Sequence, residues 1–388
     1  MSTTKPAVLA IGLTFCAAAS AAAVEVDYGY VANAAGASIS AYRVEGDGSL
    51  TAVGTTSVGA EPVGITAHPT LPVIYVTTAT APAPDGSITA YSVNGSTGAL
   101  TELQSVSTTE HPSSVAIDEA GDYAYVVNLT VGMGETVTTY SIDAAGMLTE
   151  EDVTLPMDAN LVNLALHPSV LTLYATFFEN FQIFIFEISP SDGTPYLYDM
   201  LDLDAQPHTF AVHPSGDYGY AALNDDTIAT VAIDANGLLS APFDSDSVGA
   251  SGGAALNVAA RSGNVYVTNP GTDNIDIFTV GVDGSLTSLT SVAAWTDPAE
   301  LVFNSNGSIA YCVAEGSDEV IRFTVEPDGS LTQVGITATD DGPIRMALIS
   351  VEADEAIPTL SEWGMVVLTL LVLAAATILL RRRHPAVC

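Results

Sequence analysis

The sequence predicts an all-β chain: a seven-bladed β-propeller of four-stranded blades, on three observations. Seven similar segments each carry a tyrosine, at Tyr30, Tyr75, Tyr125, Tyr174, Tyr220, Tyr266 and Tyr311, spaced by 45, 50, 49, 46, 46 and 45 residues. A period of that length marks a stack of supersecondary units, each unable to bury its faces alone. Within each unit, short runs of β-branched and aromatic residues are bounded by Gly, Asp and Pro, and no helical period appears.

The first unit shows the pattern. It reads as strands at 30–33 (Tyr-Val-Ala-Asn), 39–44, 50–58 and 63–68. Between its second and third strands stands Asp47-Gly48-Ser49-Leu50, which returns at 283–286 and 328–331, with Asn236-Gly237 in a related place. Both Asp-Gly and Asn-Gly tolerate positive φ and suit tight hairpins, so these acids are turn formers first. Four-stranded units repeated radially make a propeller, and the last must be locked to the first. Residues 344–349 form a seventh copy of the strand that elsewhere precedes His-Pro. The first blade is therefore expected to draw three outer strands from the N-terminus and its innermost strand from residues 344–349.

The two ends carry addresses. Residues 1–23 run from Lys5 through an apolar core to Ala21-Ala22-Ala23, the layout of a secretory signal peptide with cleavage expected after Ala23. Cys16 would leave with it. At the other end, residues 363–380 are uncharged and apolar, close to the ~20 residues a spanning helix needs, and Arg381-Arg382-Arg383 follow at once. The positive-inside rule places those arginines in the cytoplasm and everything before Ile357 outside it. The domain plan is thus a signal peptide (1–23), the propeller (24–351), a short acidic linker (352–356) and a C-terminal segment (357–388).

Ahead of the apolar stretch stands Ile357-Pro358-Thr359-Leu360-Ser361-Glu362-Trp363-Gly364. This octet, then an apolar helix, then an arginine cluster, resembles the IPTL-CTERM sorting signal of Gram-negative bacteria. The resemblance implies recognition by an exosortase-type membrane transpeptidase, with Ile357, Pro358, Thr359, Leu360, Trp363 and Gly364 as the motif. It also implies export through the inner membrane to the periplasmic side, a helix held in the inner membrane until processing, and a final place on the outer surface or in its matrix. An ordinary C-terminal anchor is the plainer reading of the same apolar run.

Charge narrows the partners. The chain has 45 Asp and Glu against 8 Lys and Arg, a net charge of −37. In the predicted propeller the only basic residues are Arg43, Arg261, Arg322 and Arg345. Such a surface repels nucleic acid and anionic lipid. The acids are scattered, with no calcium-loop spacing, so a solvated acidic shell is favoured over metal binding, and neither metal nor cofactor is expected. Cys312 is the only cysteine inside the propeller, which rules out disulfides and Cys/His metal clusters there.

The segments Gln206-Pro207-His208-Thr209-Phe210, His213-Pro214-Ser215-Gly216-Asp217-Tyr218 and His111-Pro112-Ser113-Ser114, with Tyr125-Val126-Val127-Asn128, resemble the repeat of the lactonase-family propellers, which include 6-phosphogluconolactonase-like proteins. Aligning the repeats places Gly64, Ser114, Asn163, Thr209, Leu256, Glu300 and Arg345 two positions after the leading Pro or its equivalent, facing the channel mouth, with His208 one position after. Enzymatic members are expected to gather Arg, His and Glu there, the Arg to hold an anion and the His or Glu to move a proton. The candidate catalytic set is Glu300, Arg345 and His208; a structural ion pair closing the ring is the competing reading. His68, His167 and His213 precede a Pro at one repeated place that Asp118 and Asn304 fill elsewhere, so hydrogen bonding to the turn backbone is expected of them.

Two functions follow. One is a binding or scaffold propeller that holds a surface glycan, peptide or small molecule over its channel. The other is a lactonase-type hydrolase or isomerase acting on a small lactone. A phosphorylated substrate fits neither the acidic shell nor an exported chain.

Overall fold

The computed structural model describes residues 25–353, apart from 80–85, 109–110, 130–134, 158–160, 178, 249–256 and 262. The signal peptide, the sorting motif, the apolar stretch and the arginine tail lie outside the described residues. Among those described, no helix is long and apolar enough to cross a membrane.

The described chain forms seven four-stranded antiparallel sheets, numbered here as blades 1–7 by the order of their tyrosines. Blade 2 is typical: Glu61–Ala67 lies innermost, followed outward by Val73–Ala79, Gly86–Val93 and Leu100–Thr108. The second strand of every blade is buried along most of its length, with exposed residues only at the start of the blade 1 copy (Glu25 and Asp27), because neighbouring blades cover both of its faces. Outermost strands are mostly exposed and are rich in Thr and Ser. The core is accordingly a ring of interfaces rather than a single centre. One apolar cluster fills the gap between each pair of adjacent blades, such as Val31, Tyr42, Ile309, Tyr311, Val313 and Met346 between blades 7 and 1.

The closure expected from the sequence is present. Blade 1 takes Glu25–Asn33, Ser38–Val44 and Leu50–Ser57 from the N-terminus and Pro343–Glu352 as its innermost strand. Tyr30 stands opposite Ala347 in that pairing.

The seven tyrosines do more than fill the core. Each is fully buried, and each hydroxyl donates to the carbonyl of a glycine in the next blade's hairpin turn: Tyr30 to Gly98 (2.8 Å), Tyr75 to Gly146 (3.0 Å), Tyr125 to Gly193 (3.0 Å), Tyr174 to Gly237 (2.8 Å), Tyr220 to Gly284 (3.2 Å), Tyr266 to Gly329 (2.8 Å) and Tyr311 back to Gly48 (2.7 Å). The turns have to be glycine. Gly48 has φ +78°, and a Cβ there would meet the Ile309 side chain at 2.8 Å; at Gly329 (φ +88°) it would meet Asn264 at 2.0 Å. The turn acids work locally, as the sequence predicts. Asp47 Oδ1 accepts from the Ser49 amide (2.9 Å) and hydroxyl (2.6 Å), and Asp283 and Asp328 repeat the pattern, which holds their carboxyls below the ordinary range.

The His-Pro places also resolve as turn chemistry. His68 Nδ1 accepts from the Thr70 (3.1 Å) and Leu71 (2.9 Å) amides, so the proton sits on Nε2, which donates to Gly121 O at 2.9 Å in blade 3. His167 does the same with Ser169, Val170 and Gly216. These histidines bind turns. In blade 6 the equivalent place holds Arg261, whose guanidinium lies 4.7 Å over the ring of Phe303 in blade 7.

Burial raises every one of the seven phenols above its ordinary value, to about 12 at Tyr266 and Tyr311. Unfolded tyrosines ionise near pH 10, whereas the folded ones keep their protons, so the unfolded state binds fewer protons once the pH passes 10. Stability is fully present below about pH 10 and lost as the pH climbs toward the folded values. A Tm that is level to about pH 9 and falls steeply above about pH 10 is expected by differential scanning fluorimetry, and Tyr311→Phe, which leaves the Gly48 carbonyl unpaired, should cost about 1–3 kcal/mol at neutral pH. A Tm unchanged up to pH 11 would refute the tyrosine ring as a source of stability.

Candidate functional site at the channel mouth

The innermost strands surround a central cavity of about 400 Å3, lined by Gly64, Thr66, Ser114, Asn163, Asn257, Glu300 and Arg345 among others. A local device aims these side chains. In blades 2, 3, 4, 5 and 7 the residue after the leading Pro or Leu is left unpaired in a β-bulge, with register shifts between Pro62 and Gly64, Pro112 and Ser114, Leu161 and Asn163, Pro207 and Thr209, and Pro298 and Glu300. Blade 1 has the same irregularity between Pro343 and Arg345. The extra residue re-aims its successor toward the axis. A leading Pro is tolerated because its missing N–H falls at the strand end.

Six of the seven positions read from the repeat stand on corresponding rungs of their blades, and five of them, Gly64, Ser114, Asn163, Glu300 and Arg345, line the cavity, whereas Thr209 is buried and does not. Leu256 lies outside the described residues, and the register corrects that position: Asn257 pairs with Thr268 as Ser114 pairs with Val127 and Glu300 with Val313, so Asn257 is the blade 6 residue at this level. A slip of one residue exchanges the two faces of a strand. Blades 4 and 6 both lack the Pro that marks the start elsewhere; the aligned position holds at Asn163 in blade 4 and falls one residue short in blade 6.

Glu300 and Arg345 are brought together. Arg345 Nε lies 4.0 Å from Glu300 Oε1, with 28% and 18% of the two side chains exposed. The tighter contact of Glu300 is to backbone: its Oε2 accepts the Met346 amide at 2.7 Å. Asn163 makes the corresponding bond, its Oδ1 accepting the Phe210 amide of the next blade at 3.3 Å. The shared role is to tie one innermost strand to its neighbour. Burial raises the Glu300 carboxyl, while Arg345 and the Met346 amide pull it back.

His208 is placed apart. It is the bulged residue of the innermost strand of blade 5, Pro207–Val212, is half-buried, and is not among the residues that line the cavity. Its carbonyl accepts from Thr176 Oγ1 at 3.4 Å, and burial lowers its imidazole pKa, which leaves it neutral at pH 7. Cys312 is fully buried with its thiol pushed up by burial, so it is no nucleophile.

The alignment of repeats missed the rim. Glu315 is raised by burial, then by Asp297 and Glu61, with Arg345 opposing, so Glu315 stands near two other carboxylates as well as Arg345. Glu61 and Asp297 each stand immediately before a leading Pro. Their signal was in the sequence, one position upstream of the one that was aligned.

These features match a known architecture. The family described as Lactonase, 7-bladed beta-propeller, matches residues 26–348. The chain belongs to this lactonase family. Its C-terminal residues 355–384 match the IPTL-CTERM motif, which marks an exported, surface-sorted protein processed by an exosortase-type enzyme. Among solved structures, a protein from Bacteroides uniformis assigned as a 6-phosphogluconolactonase is similar with a TM-score of 0.75 and 16% identity, over 84% of this chain and 99% of that one. The periplasmic gluconolactonase of Pseudomonas aeruginosa is similar with a TM-score of 0.73 and 18% identity, over 84% and 99%, and a protein from Lactobacillus plantarum with 0.72 and 18%, over 85% and 100%. At such identities the likeness is one of fold. No curated protein matches the chain.

The lactonase-family propeller seen here makes Glu300 a strand tie first. Glu300→Gln keeps an acceptor for the Met346 amide and should cost under about 1 kcal/mol, whereas Glu300→Ala leaves that amide and Arg345 unpaired and should cost about 2 kcal/mol or more. Chemical denaturation of the two variants separates the outcomes, and equal losses would remove the amide bond from the explanation.

Proposed function

We propose that this protein is a displayed binding propeller, which holds a small, uncharged, hydroxyl-rich ligand in its channel mouth. One observation carries the reading. Arg345, the cation among the cavity-lining residues, is already neutralised by Glu300 and flanked by Glu315, while the remaining polar lining is made of neutral groups such as Ser114, Asn163 and Asn257. Neutral hydroxyls and amides both donate and accept, which suits a polyol or sugar. A phosphate would enter a field dominated by carboxylates. On this proposal the signal peptide (1–23) is removed, the linker (352–356) follows the propeller, and the apolar helix (363–380) is cut away after sorting, which releases the propeller to the outer surface or matrix. Mass spectrometry of the mature chain should find an end well before Cys388; a mass that includes Cys388 would mean an uncut anchor.

The second reading is lactone hydrolysis. It is supported by the family and by the raised carboxyl of Glu300, which burial keeps poised to take a proton. Water would add to the lactone carbonyl as its proton passes to Glu300, Arg345 would steady the carbonyl oxygen, and the ring oxygen would leave as a hydroxyl. Half-buried His208 has no cavity-lining place from which to assist. The gluconolactonase of Pseudomonas aeruginosa bears a name that fits a neutral lactone and an exported protein. Glucono-1,5-lactone and its 6-phosphate, followed by pH-stat with the wild type, Glu300→Gln and Arg345→Ala, decide between the two. The binding proposal expects no rate above buffer hydrolysis for either compound. Turnover that disappears in both variants would establish the hydrolase in its place.

A further inference from the structure

Repeats serve as controls for one another, since what every blade needs appears in every blade. The outermost strands of six blades share one plan: a β-bulge leaves Val53, Leu103, Glu151, Tyr198, Leu289 or Val334 unpaired. Two positions before the bulge stand Thr51, Thr101, Thr149, Thr287 and Thr332, but Tyr196 in blade 4. The position between is Ala52, Glu102, Glu150, Ser288 and Gln333, but Leu197 in blade 4. Blade 4 alone thus shows solvent two tyrosines, a leucine and Met200 from one strand, Pro195–Asp202, with 58%, 51%, 50% and 49% of Tyr196, Leu197, Tyr198 and Met200 exposed. The fold does not require this, because five blades do without it.

The strand borders a groove of about 270 Å3 between blades 4 and 5, lined by Leu171, Thr172, Glu187, Pro190, Tyr198 and Asn236. Tyr196 pairs with Glu187 and so shares its face. That face is the blade 5 side, since Ile183 and Ile185, which alternate with Glu187, pack into the cluster of blade 5. Tyr198, a carboxylate and an amide therefore line the groove, and exposed Tyr196 stands beside it on the face that Glu187 shares.

We propose that this groove is a second binding site, for a neutral polysaccharide, with Tyr198 and Tyr196 as stacking platforms for sugar rings and Glu187 and Asn236 as hydrogen-bond partners of their hydroxyls. Aromatic faces offer apolar area to the C–H face of a sugar with little loss of side-chain freedom. A carboxylate accepts and an amide does both, which matches a ring of hydroxyls. Charge and geometry select this occupant. Anionic polymers face the −37 chain. A second copy would bring its own Glu187 and Asp199 against these. An added peptide strand needs a regular edge, which the bulge at Tyr198 and the proline at its start interrupt. The proposal stands independently of any ligand in the channel.

The test is affinity electrophoresis of the full chain through gels containing dextran, a soluble β-1,3-glucan or hydroxyethylcellulose, with alginate as the anionic control. The variant Tyr196→Thr/Tyr198→Leu restores residues that other blades carry, and its Tm shows that the fold is kept. Retardation of the wild type in at least one neutral gel is expected, weakened about tenfold or more in the variant, as loss of aromatic anchors gives, with none in alginate. No retardation in any of the three neutral gels, or equal retardation of variant and wild type, would overturn the proposal. So would self-association of the wild type that the variant abolishes, which would make the patch an interface between copies.

Discussion

A ring of repeats stands or falls on its weakest junction, and here that junction lies within blade 1, where the two ends of the chain meet without a covalent link. The hydrogen bond from Tyr311 to Gly48 is the member of the seven-bond tyrosine ring that crosses from the late chain to the early one. It does not act alone. Arg322 donates to the Asp47 carbonyl (2.9 Å), Tyr42 to Ala338 O (2.8 Å), Ser38 to the Asp340 carboxylate (2.7 Å) and Thr339 to Asn33 Oδ1 (2.8 Å). With the strand pairing of Glu25–Asn33 to Pro343–Glu352, they fasten the N-terminal strands to the rest. The channel depends on this fastening, because Arg345 sits in the closing strand and Glu300 in the blade beside it. A loosened seam would dismantle the pair that defines the mouth.

The tyrosine–glycine pairing also explains why the repeat has the sequence it has. A phenol needs a partner when buried, and a hairpin turn leaves carbonyls with none. Each solves the other's problem across a blade boundary, and the side chain two residues before the tyrosine, such as Ile309 against Gly48 or Asn264 against Gly329, leaves no room for a Cβ on the turn residue. The period is therefore read by tyrosine and glycine together, and the turns in blades 2, 3 and 4, which lack the Asp-Gly-Ser-Leu wording, are still closed by Gly98, Gly146 and Gly193. Interlocking of this kind makes neighbouring blades cooperative rather than merely adjacent.

Much of the fold was legible because periodicity is a property of the string. Seven tyrosines gave seven blades, residues 344–349 gave the closing strand, and histidines before prolines gave turn ligands. What could not be read was register and direction. A leading Pro marks the channel position in blades 1, 2, 3, 5 and 7; of the two blades without that marker, the aligned position holds at Asn163 in blade 4 and falls one residue short of Asn257, at Leu256, in blade 6. The partner of Glu300 that matters most, the Met346 amide, carries no signal in residue types, since a backbone N–H is present everywhere. Nor could spacing show that blade 5 gives neither His208 nor Thr209 to the cavity lining, or that Glu61, Asp297 and Arg345 gather around Glu315 from separate segments.

Charge placement completes the account of how so acidic a ring can close. Many of the acids sit in hairpin turns at the periphery, where Asp47, Asp234, Asp283 and Asp328 are exposed and held by backbone or serine donors, so their charge is solvated as well as bonded. Of the propeller's four arginines, Arg261 packs on Phe303 between blades 6 and 7, while Arg322 and Arg345 bridge blades 7 and 1. Cations are thus concentrated where the chain's own continuity is least help and repulsion between facing acids would be most damaging. Structural use of these arginines leaves little positive charge for recognition. On the binding proposals, recognition by a propeller built this way falls to hydroxyls, amides and aromatic faces, and those are the groups that its channel mouth and its blade 4 edge present.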